Sequence, residues 1–297
     1  MKIVVTGTRG IPGIQGGVET HCQELYPLIA DEQHEIIVIR RPNYAVERSV
    51  QIYKQVAIKD ISAPRSKHLE AFVHTFKAVI YARKVKADIV HIHAVGPALM
   101  TPVARLLGMK VVITHHGPDY DRDKWGRFAK WILCMGERAG VYYANHIIVI
   151  SEHIRQIIYH QYSAKRNVTL IHNGVNVPTR VIGTEYLESL DLTEYGYVLA
   201  VGRFVKEKNL DQLVEAFTQL SSPSMKLVIA GDADFQDEYA QKLKEVCWKQ
   251  KNICLTGFIK GDKLAQLYTY AKVFVLPSTH EGLPIALLEA MSYNDAT

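Results

Sequence analysis

An alternation that runs, stops and starts again constrains this chain more than any other feature. Short β-branched and apolar runs alternate with segments whose apolar residues recur at helical spacing. Strand-like runs fall at 2–6, 35–39, 50–58, 88–92, 110–114, 146–150 and 168–172, and helical patterns lie near 18–31, 68–86, 97–107, 124–143 and 152–162. After Asn173-Gly174-Val175-Asn176-Val177-Pro178-Thr179, which Gly and Pro punctuate, the pattern restarts. Strands at 197–201, 225–230, 252–256 and 273–276 then alternate with helices near 208–220, 236–250, 261–271 and 283–293. Such alternation predicts parallel sheets covered on both faces. Two doubly wound α/β domains follow, 1–176 and 177–297, in keeping with a length of 297 residues and about 150 residues per domain. Ligands in such sheets bind at the carboxyl ends of the strands.

Bulk properties exclude several classes. The apolar run in Met1-Lys2-Ile3-Val4-Val5-Thr6-Gly7 is too short for a signal peptide. No run reaches the roughly 18 apolar residues of a membrane span. Cys22, Cys134, Cys247 and Cys254 show no metal or redox spacing and read as reduced thiols of a cytoplasmic protein. A net charge of +5 permits an anionic membrane surface or a phosphorylated ligand and demands neither. Nothing points to a nucleic-acid partner.

The segment Pro277-Ser278-Thr279-His280-Glu281-Gly282-Leu283-Pro284-Ile285-Ala286-Leu287-Leu288-Glu289-Ala290-Met291 carries the sharpest chemistry. It follows the apolar run Val273-Phe274-Val275-Leu276. A strand, a tight turn and a helix N-terminus make an anion site, because unpaired N–H groups and the helix dipole point outward there. A carboxylate beside such a site suits a ligand with both hydroxyls and phosphates, such as a nucleotide sugar. The spacing places Glu281 and Glu289 two helical turns apart on one face. In Val201-Gly202-Arg203-Phe204-Val205-Lys206-Glu207-Lys208-Asn209, a strand ends in Gly and then presents a cation pair before a helix. Arg offers phosphate a planar fork and Lys a point charge, and fixed cations stabilise a departing diphosphate.

These motifs resemble the retaining glycosyltransferases of the GT-B fold, family four. Thr6-Gly7-Thr8-Arg9-Gly10-Ile11-Pro12 with Gly16-Gly17-Val18-Glu19 looks like a rhamnosyltransferase-type bacterial subgroup. The resemblance implies two Rossmann-like domains facing a cleft. It implies transfer of a hexosyl or deoxyhexosyl group from a nucleoside-diphosphate sugar to a glycan or lipid-linked acceptor, with retention, in bacterial surface polysaccharide synthesis. No metal or other cofactor is expected. By the same resemblance, Arg203 and Lys208 hold the diphosphate, with the N–H groups near Gly282 and Leu283. Glu281 holds sugar hydroxyls and Glu289 the ribose. Gly16 and Gly17 lie over the donor phosphates, and the backbone near Ile259 meets the base. His116, with His115 as the fallback, faces the donor sugar.

Rival readings attach to several of these residues. Gly7-x-x-Gly10-x-x-Gly13 also fits the fingerprint of extended short-chain dehydrogenases, with Arg40-Arg41 as an NADP-type feature and Tyr120/Lys124 as a Tyr-x-x-x-Lys match. Against that, the helix pattern begins only at Val18-Glu19, whereas a dinucleotide site needs the helix to open directly on the pyrophosphate. His91 and His93 share a strand face and read as packed or hydrogen-bonded rather than metal-bound. Asp232 and Asp234 read as turn and cap residues. Lys124-Trp125-Gly126-Arg127-Phe128-Ala129-Lys130-Trp131-Ile132-Leu133 suits an interfacial helix on an anionic inner membrane face. Phe128, Trp131, Ile132 and Met135 equally suit a core-facing stripe.

The resemblance stops near Asn294, short of the strand and helices with which the family continues. The second domain is therefore expected to be incomplete, with an exposed sheet edge. A shortened chain, a frameshifted product or a partner-dependent, nucleotide-sugar-binding subunit with little catalysis are the corresponding readings.

Overall fold

The computed structural model describes residues 1–45, 47–64, 70–121, 125–162, 167–177, 183–220, 225–233 and 236–293. Lys124, Asp234, Pro178, Thr179 and the tail after Tyr293 lie outside the described residues. The chain divides into two units, Met1–Asn173 and Gly174–Thr297.

The first unit runs β1 (Lys2–Thr6), α1 (Gly17–Ile29), β2 (Glu35–Arg40), β3 (Ile52–Tyr53), β4 (Val56–Asp60), α2 (Glu70–Lys84), β5 (Ile89–His93), α3 (Thr101–Leu106), β6 (Lys110–His115), α4 (Arg127–Tyr143), β7 (His146–Val149), α5 (Glu152–Tyr162) and β8 (Val168–Leu170). Its eight strands form one sheet in the order β3-β4-β2-β1-β5-β6-β7-β8. Every pairing is parallel except β3 with β4. Val4, Val5, Val38, Ile39, Val90 and Ile92 are fully buried on consecutive or alternating positions. That is the pattern of a sheet covered on both faces.

The segment 50–58, expected as one strand, is a hairpin. Lys54 and Gln55 take positive φ values of 45° and 72°, so a two-residue turn reverses the chain between β3 and β4. Neither residue is a Gly or Asn, so the turn carries no sequence signal. The helix expected over 97–107 is a 3₁₀ turn, Pro97–Met100, followed by α3.

The second unit runs α6 (Glu185–Ser189), β9 (Tyr197–Val201), α7 (Leu210–Thr218), β10 (Lys226–Ala230), α8 (Glu238–Trp248), β11 (Ile253–Gly257), α9 (Asp262–Thr269), β12 (Val273–Phe274) and α10 (Ile285–Tyr293). Its parallel sheet has the order β11-β10-β9-β12. Leu227 and Ile229 pack with Leu210, Val214, Phe217 and Leu243. The alternate residues Val228 and Ala230 pack with Leu267, Tyr268 and Ala290. The period of two along β10 thus sends successive side chains into two separate cores. The short α6 had no counterpart in the periodicity. β12 is an edge strand, with Val273 nearly half exposed.

Candidate functional site

In the first unit, the glycines of the dinucleotide-like fingerprint have a packing role. A Cβ at Gly7 would collide with the carbonyl oxygen of His93, and one at Gly10 with the side chain of Arg40. Helix α1 begins at Gly17, well beyond the fingerprint, and its first turn closes through Thr20 N–H to Gly16 O at 2.9 Å. Arg40 is fully buried. Its guanidinium forks onto both oxygens of Asp60, at 2.7 and 2.9 Å, and its remaining N–H groups donate to the carbonyls of Glu47, Arg48 and Val50. Arg41 packs against Glu70 at 3.7 Å. Both arginines are buried, and the Arg40 guanidinium is committed to Asp60 and three backbone carbonyls, so this pair is a structural brace and speaks against the NADP-type reading. Glu19 likewise braces the loop, accepting from the Arg9 N–H at 3.0 Å.

His116 directly follows β6, in the loop that leads toward α4. Its Nε2 meets Nδ1 of His93 at 2.9 Å. Among the described residues, its Nδ1 has no hydrogen-bond partner. His93 Nε2 meets the hydroxyl of Tyr26 at 2.6 Å, and Cys22 Sγ lies 3.7 Å away. Tyr26 also meets His91 Nδ1 at 2.8 Å, and His91 Nε2 meets Thr114 Oγ1 at 2.7 Å. The rings of His91 and His93 stack at 4.4 Å, those of His93 and His116 at 5.2 Å. The His21 ring lies edge-on to His116 at 5.4 Å. Helix α1 therefore carries His21 to the histidine after β6, so the end of the Gly16-Gly17 loop and His116 belong to one locality. Burial, then the neighbouring imidazoles, holds His93 and His116 well below the usual histidine value, and burial with His21 pushes His91 down to about 3. All three rings are neutral near pH 7.

His115 is not the alternative to His116. Gly117 N–H donates to its Nδ1 at 3.1 Å, so the ring proton is on Nε2, which donates to Glu137 Oε1 at 2.7 Å. Glu137 is buried in α4 and also accepts from the hydroxyls of Tyr120 and Tyr162. Burial raises this carboxyl, but the hydrogen bonds from His115, Tyr162 and Tyr120 outweigh it and leave Glu137 below its ordinary value. Tyr120 thus belongs to a structural cluster around Glu137; Lys124, its partner in the Tyr-x-x-x-Lys match, lies outside the described residues.

The buried face of α4 consists of Gly136, Glu137, Ala139, Gly140 and Val141. Gly136 lies so close to the sheet side that a Cβ would strike the carbonyl of Val95. The aromatic stripe lies elsewhere on the helix. Phe128 is 73 % and Trp131 59 % exposed, their rings stacked at 6.0 Å, and Met135 is exposed as well. The core-facing reading of that stripe is therefore corrected; within it only Ile132 is half-buried.

In the second unit, Arg203 and Lys208 lie beyond the carboxyl end of β9, and Glu281, Gly282 and Leu283 beyond that of β12, its neighbour in the sheet. Phe204 anchors the first loop in the core, and Phe204 N–H donates to Asp232 O at 3.1 Å. The Lys208 stem lies along Gly202, and its ammonium bonds Glu281. Two further bonds join the same loops: Asn209 Nδ2 to Pro277 O at 3.0 Å and Thr279 N–H to Glu207 O at 3.2 Å. Asn209 adopts a left-handed conformation, φ 48°, as the chain leaves the 3₁₀ turn Lys206–Lys208 for α7.

Glu289 lies on α10 and accepts from the buried Tyr268 hydroxyl at 3.0 Å. Glu281 precedes the first residue of that helix, so the two carboxylates do not share a helix face as their spacing suggested. Ile259 follows β11 and packs against the core that contains Tyr268 and Ala290. Asp232 is a turn residue, accepting from Ala233 N–H at 2.7 Å and pairing with Lys244 at 2.6 Å. The N-cap of α8 is Asp237.

No group of three or more His, Cys, Asp or Glu side chains among the described residues is arranged to hold a metal ion. No described helix is long and apolar enough to cross a membrane. Sequence reasoning missed His21, Tyr26, Thr114, Glu137 and Tyr268. The Cys22/Tyr26 pair at i,i+4 was the one available signal, and it marks a buried helix face without saying what it meets.

The model of Glycosyltransferase Family 4 matches residues 15–178, more than half of the chain, and that of the group 1 glycosyl transferases matches 185–295. The chain belongs to glycosyltransferase family 4. An uncharacterized glycosyltransferase of Methanocaldococcus jannaschii is 27 % identical over 98 % of this chain and 78 % of its own length. The Escherichia coli UDP-Gal:alpha-D-GlcNAc-diphosphoundecaprenol alpha-1,3-galactosyltransferase is 25 % identical over 98 % and 77 % respectively. In fold, the chain resembles Anabaena HepE in complex with UDP-glucose, with a TM-score of 0.77 at 17 % identity over 99 % of this chain and 78 % of HepE. The two Rossmann-like parallel sheets are those of GT-B glycosyltransferases.

Proposed function

We propose that this glycosyltransferase moves a hexosyl or deoxyhexosyl group from a nucleoside-diphosphate sugar to a glycan or lipid-linked acceptor, with retention, in bacterial surface polysaccharide synthesis. The contact of Lys208 with Glu281 carries the reading. It gathers a cation suited to a diphosphate and a carboxylate suited to sugar hydroxyls at the adjoining ends of β9 and β12. Arg203, Lys208 and the N–H groups near Gly282 and Leu283 stabilise the charge that develops on the departing diphosphate. Glu281 holds hydroxyls of the transferred sugar, and Glu289, oriented by Tyr268, holds the ribose. By resemblance to the family, the backbone near Ile259 is assigned to the base and Gly16 and Gly17 to the phosphates. His116 orients the sugar. The leaving phosphate oxygen takes the acceptor's proton on the face the nucleotide vacates, so configuration is kept without a protein nucleophile. No metal ion enters this scheme.

UDP-glucose bound to HepE and the UDP-Gal named for the E. coli relative make UDP-sugars the first donors to test. The diphosphoundecaprenol acceptor of that relative supports a lipid-linked acceptor here. The exposed Phe128, Trp131 and Met135, flanked by Arg127 and Lys130, support peripheral contact with the anionic inner membrane face.

The test is a panel of nucleotide sugars read by thermal shift and by donor turnover, with NAD(P) as control. Stabilisation by one nucleotide sugar and its nucleoside diphosphate, with turnover and retained configuration in the product, is the expected result. Binding without turnover would reduce the protein to a nucleotide-sugar-binding subunit. Stabilisation by NAD(P) alone would overturn the reading.

A further inference from the structure

Thr114, His91, Tyr26, His93 and His116 form one unbroken hydrogen-bond chain across α1, β5 and β6. Each interior member uses both of its polar atoms, or its one hydroxyl twice, within the chain. A neutral imidazole has one donor and one acceptor nitrogen, and a hydroxyl donates once. Were Tyr26 to accept from both rings, its own buried hydroxyl proton would have no acceptor among the described residues, which is costly. With Tyr26 passing its proton on, the hydrogens all point the same way along the chain, leaving two directions.

The far end chooses between them. Thr114 is buried, and His91 Nε2 is the partner of its hydroxyl among the described residues. If His91 donated to Thr114, the hydroxyl proton would be buried without an acceptor, which is costly. If Thr114 donates, every hydrogen inside the chain has an acceptor. His91 Nδ1 then donates to Tyr26, Tyr26 to His93 Nε2, and His93 Nδ1 to His116 Nε2.

We propose that Thr114, acting through His91, Tyr26 and His93, fixes His116 as the neutral tautomer with its proton on Nδ1, so that this ring meets its ligand as a hydrogen-bond donor. Thr114, Tyr26, His91 and His93 are positioning residues. The ligand group they select is an uncharged or anionic oxygen acceptor, such as a sugar oxygen of the donor. That last step rests on the transferase reading above; the tautomer does not.

The experiment is nitrogen-detected NMR of the full chain labelled at histidine, with His116 assigned by its loss in His116→Asn. The expected spectrum of the unliganded protein shows His116 protonated at Nδ1 and bare at Nε2. The near-isosteric Thr114→Val removes the end donor and leaves one unmet group in either direction, so the preference collapses. The His116 nitrogens then move toward the average of the two tautomers, and Thr114→Ser restores the original spectrum. Protonation of His116 at Nε2, or of both nitrogens, near neutral pH overturns the proposal. So does a Thr114→Val protein with a native fold and unmoved His116 signals.

Donor affinity is the second readout. A competent fraction reduced to about half weakens binding about twofold in Thr114→Val, with Thr114→Ser unaffected. If the spectra behave as stated and affinity for every nucleotide sugar is unchanged, the tautomer stands and the assignment of His116 to the donor sugar falls.

Discussion

Lys208 and Glu281, 73 residues apart in the chain, are bonded side chain to side chain across the ends of two neighbouring strands. Each charge holds the other where the donor's diphosphate and sugar are proposed to bind. Both side chains remain about a fifth to a quarter exposed, and an ion pair in that setting contributes little to stability, roughly 0–1 kcal/mol. Lys208→Met should therefore leave the melting temperature nearly unchanged while turnover falls by about 10²–10³. Calorimetry beside steady-state kinetics checks this. Comparable losses in both would make the lysine structural.

Glu289 should act on the nucleotide rather than on the sugar. Glu289→Ala removes hydrogen bonds from a charged acceptor, each worth about 1.5–3 kcal/mol, so affinity for the free nucleoside diphosphate should drop about tenfold to a hundredfold. Titration calorimetry with the nucleoside diphosphate and with the base-free sugar phosphate separates the two contributions. A loss confined to the sugar phosphate would reassign the residue.

Glu137 is the hub of a buried cluster. Glu137→Leu would strand the Nε2–H of His115 and the hydroxyls of Tyr120 and Tyr162. Leaving the fully buried His115 donor unpaired costs about 1–3 kcal/mol, and the half-buried tyrosine hydroxyls add less, so a destabilisation of about 2–3 kcal/mol is expected in urea unfolding. A shift under about 1 kcal/mol would mean that the cluster relaxes or admits water.

The neutral histidines make stability depend on pH. Burial, with Arg41 adding to it, pushes His74 down to about 3, as burial with His21 does His91. Unfolded, each returns to 6.5. Between these values the unfolded chain binds protons that the folded chain refuses, so acid favours unfolding. Their contribution is complete above pH 6.5 and declines toward pH 3, by about 1.4 kcal/mol per pH unit for each histidine. Glu137, lowered in the fold, adds a loss of the same sign below its ordinary value of 4.5. Urea midpoints at about pH 7.5, 6 and 5 should fall progressively. A constant midpoint would show these rings charged or solvated.

The exposed Phe128–Trp131 stack predicts pelleting with anionic vesicles that weakens with salt and is lost in Phe128→Ser/Trp131→Ser. Unchanged pelleting in the double variant would place membrane contact elsewhere or dismiss it.

The amino-acid sequence alone determined the two α/β units and the loops that carry the candidate chemistry. Both depend on local order: β-branched runs make strands, helical spacing makes helices, and glycines and prolines break them. Gly202–Lys208 and Glu281–Glu289 could be read because each lies within one strand–loop–helix passage. The hairpin at Lys54-Gln55 could not, since its positive φ values fall on residues that advertise no turn. Tertiary structure alone decided which neighbours each motif has. Strand order put β12 beside β9 and so brought Glu281 to Lys208. Helix α1 lies against β5 and β6, which joined Tyr26, His93 and His116 and separated His116 from the Glu137-bound His115. Sequence patterns record the environment of a residue's own turn or strand. Hydrogen bonds between residues 23 to 73 positions apart depend on how strands pair and helices pack, and no local pattern encodes that.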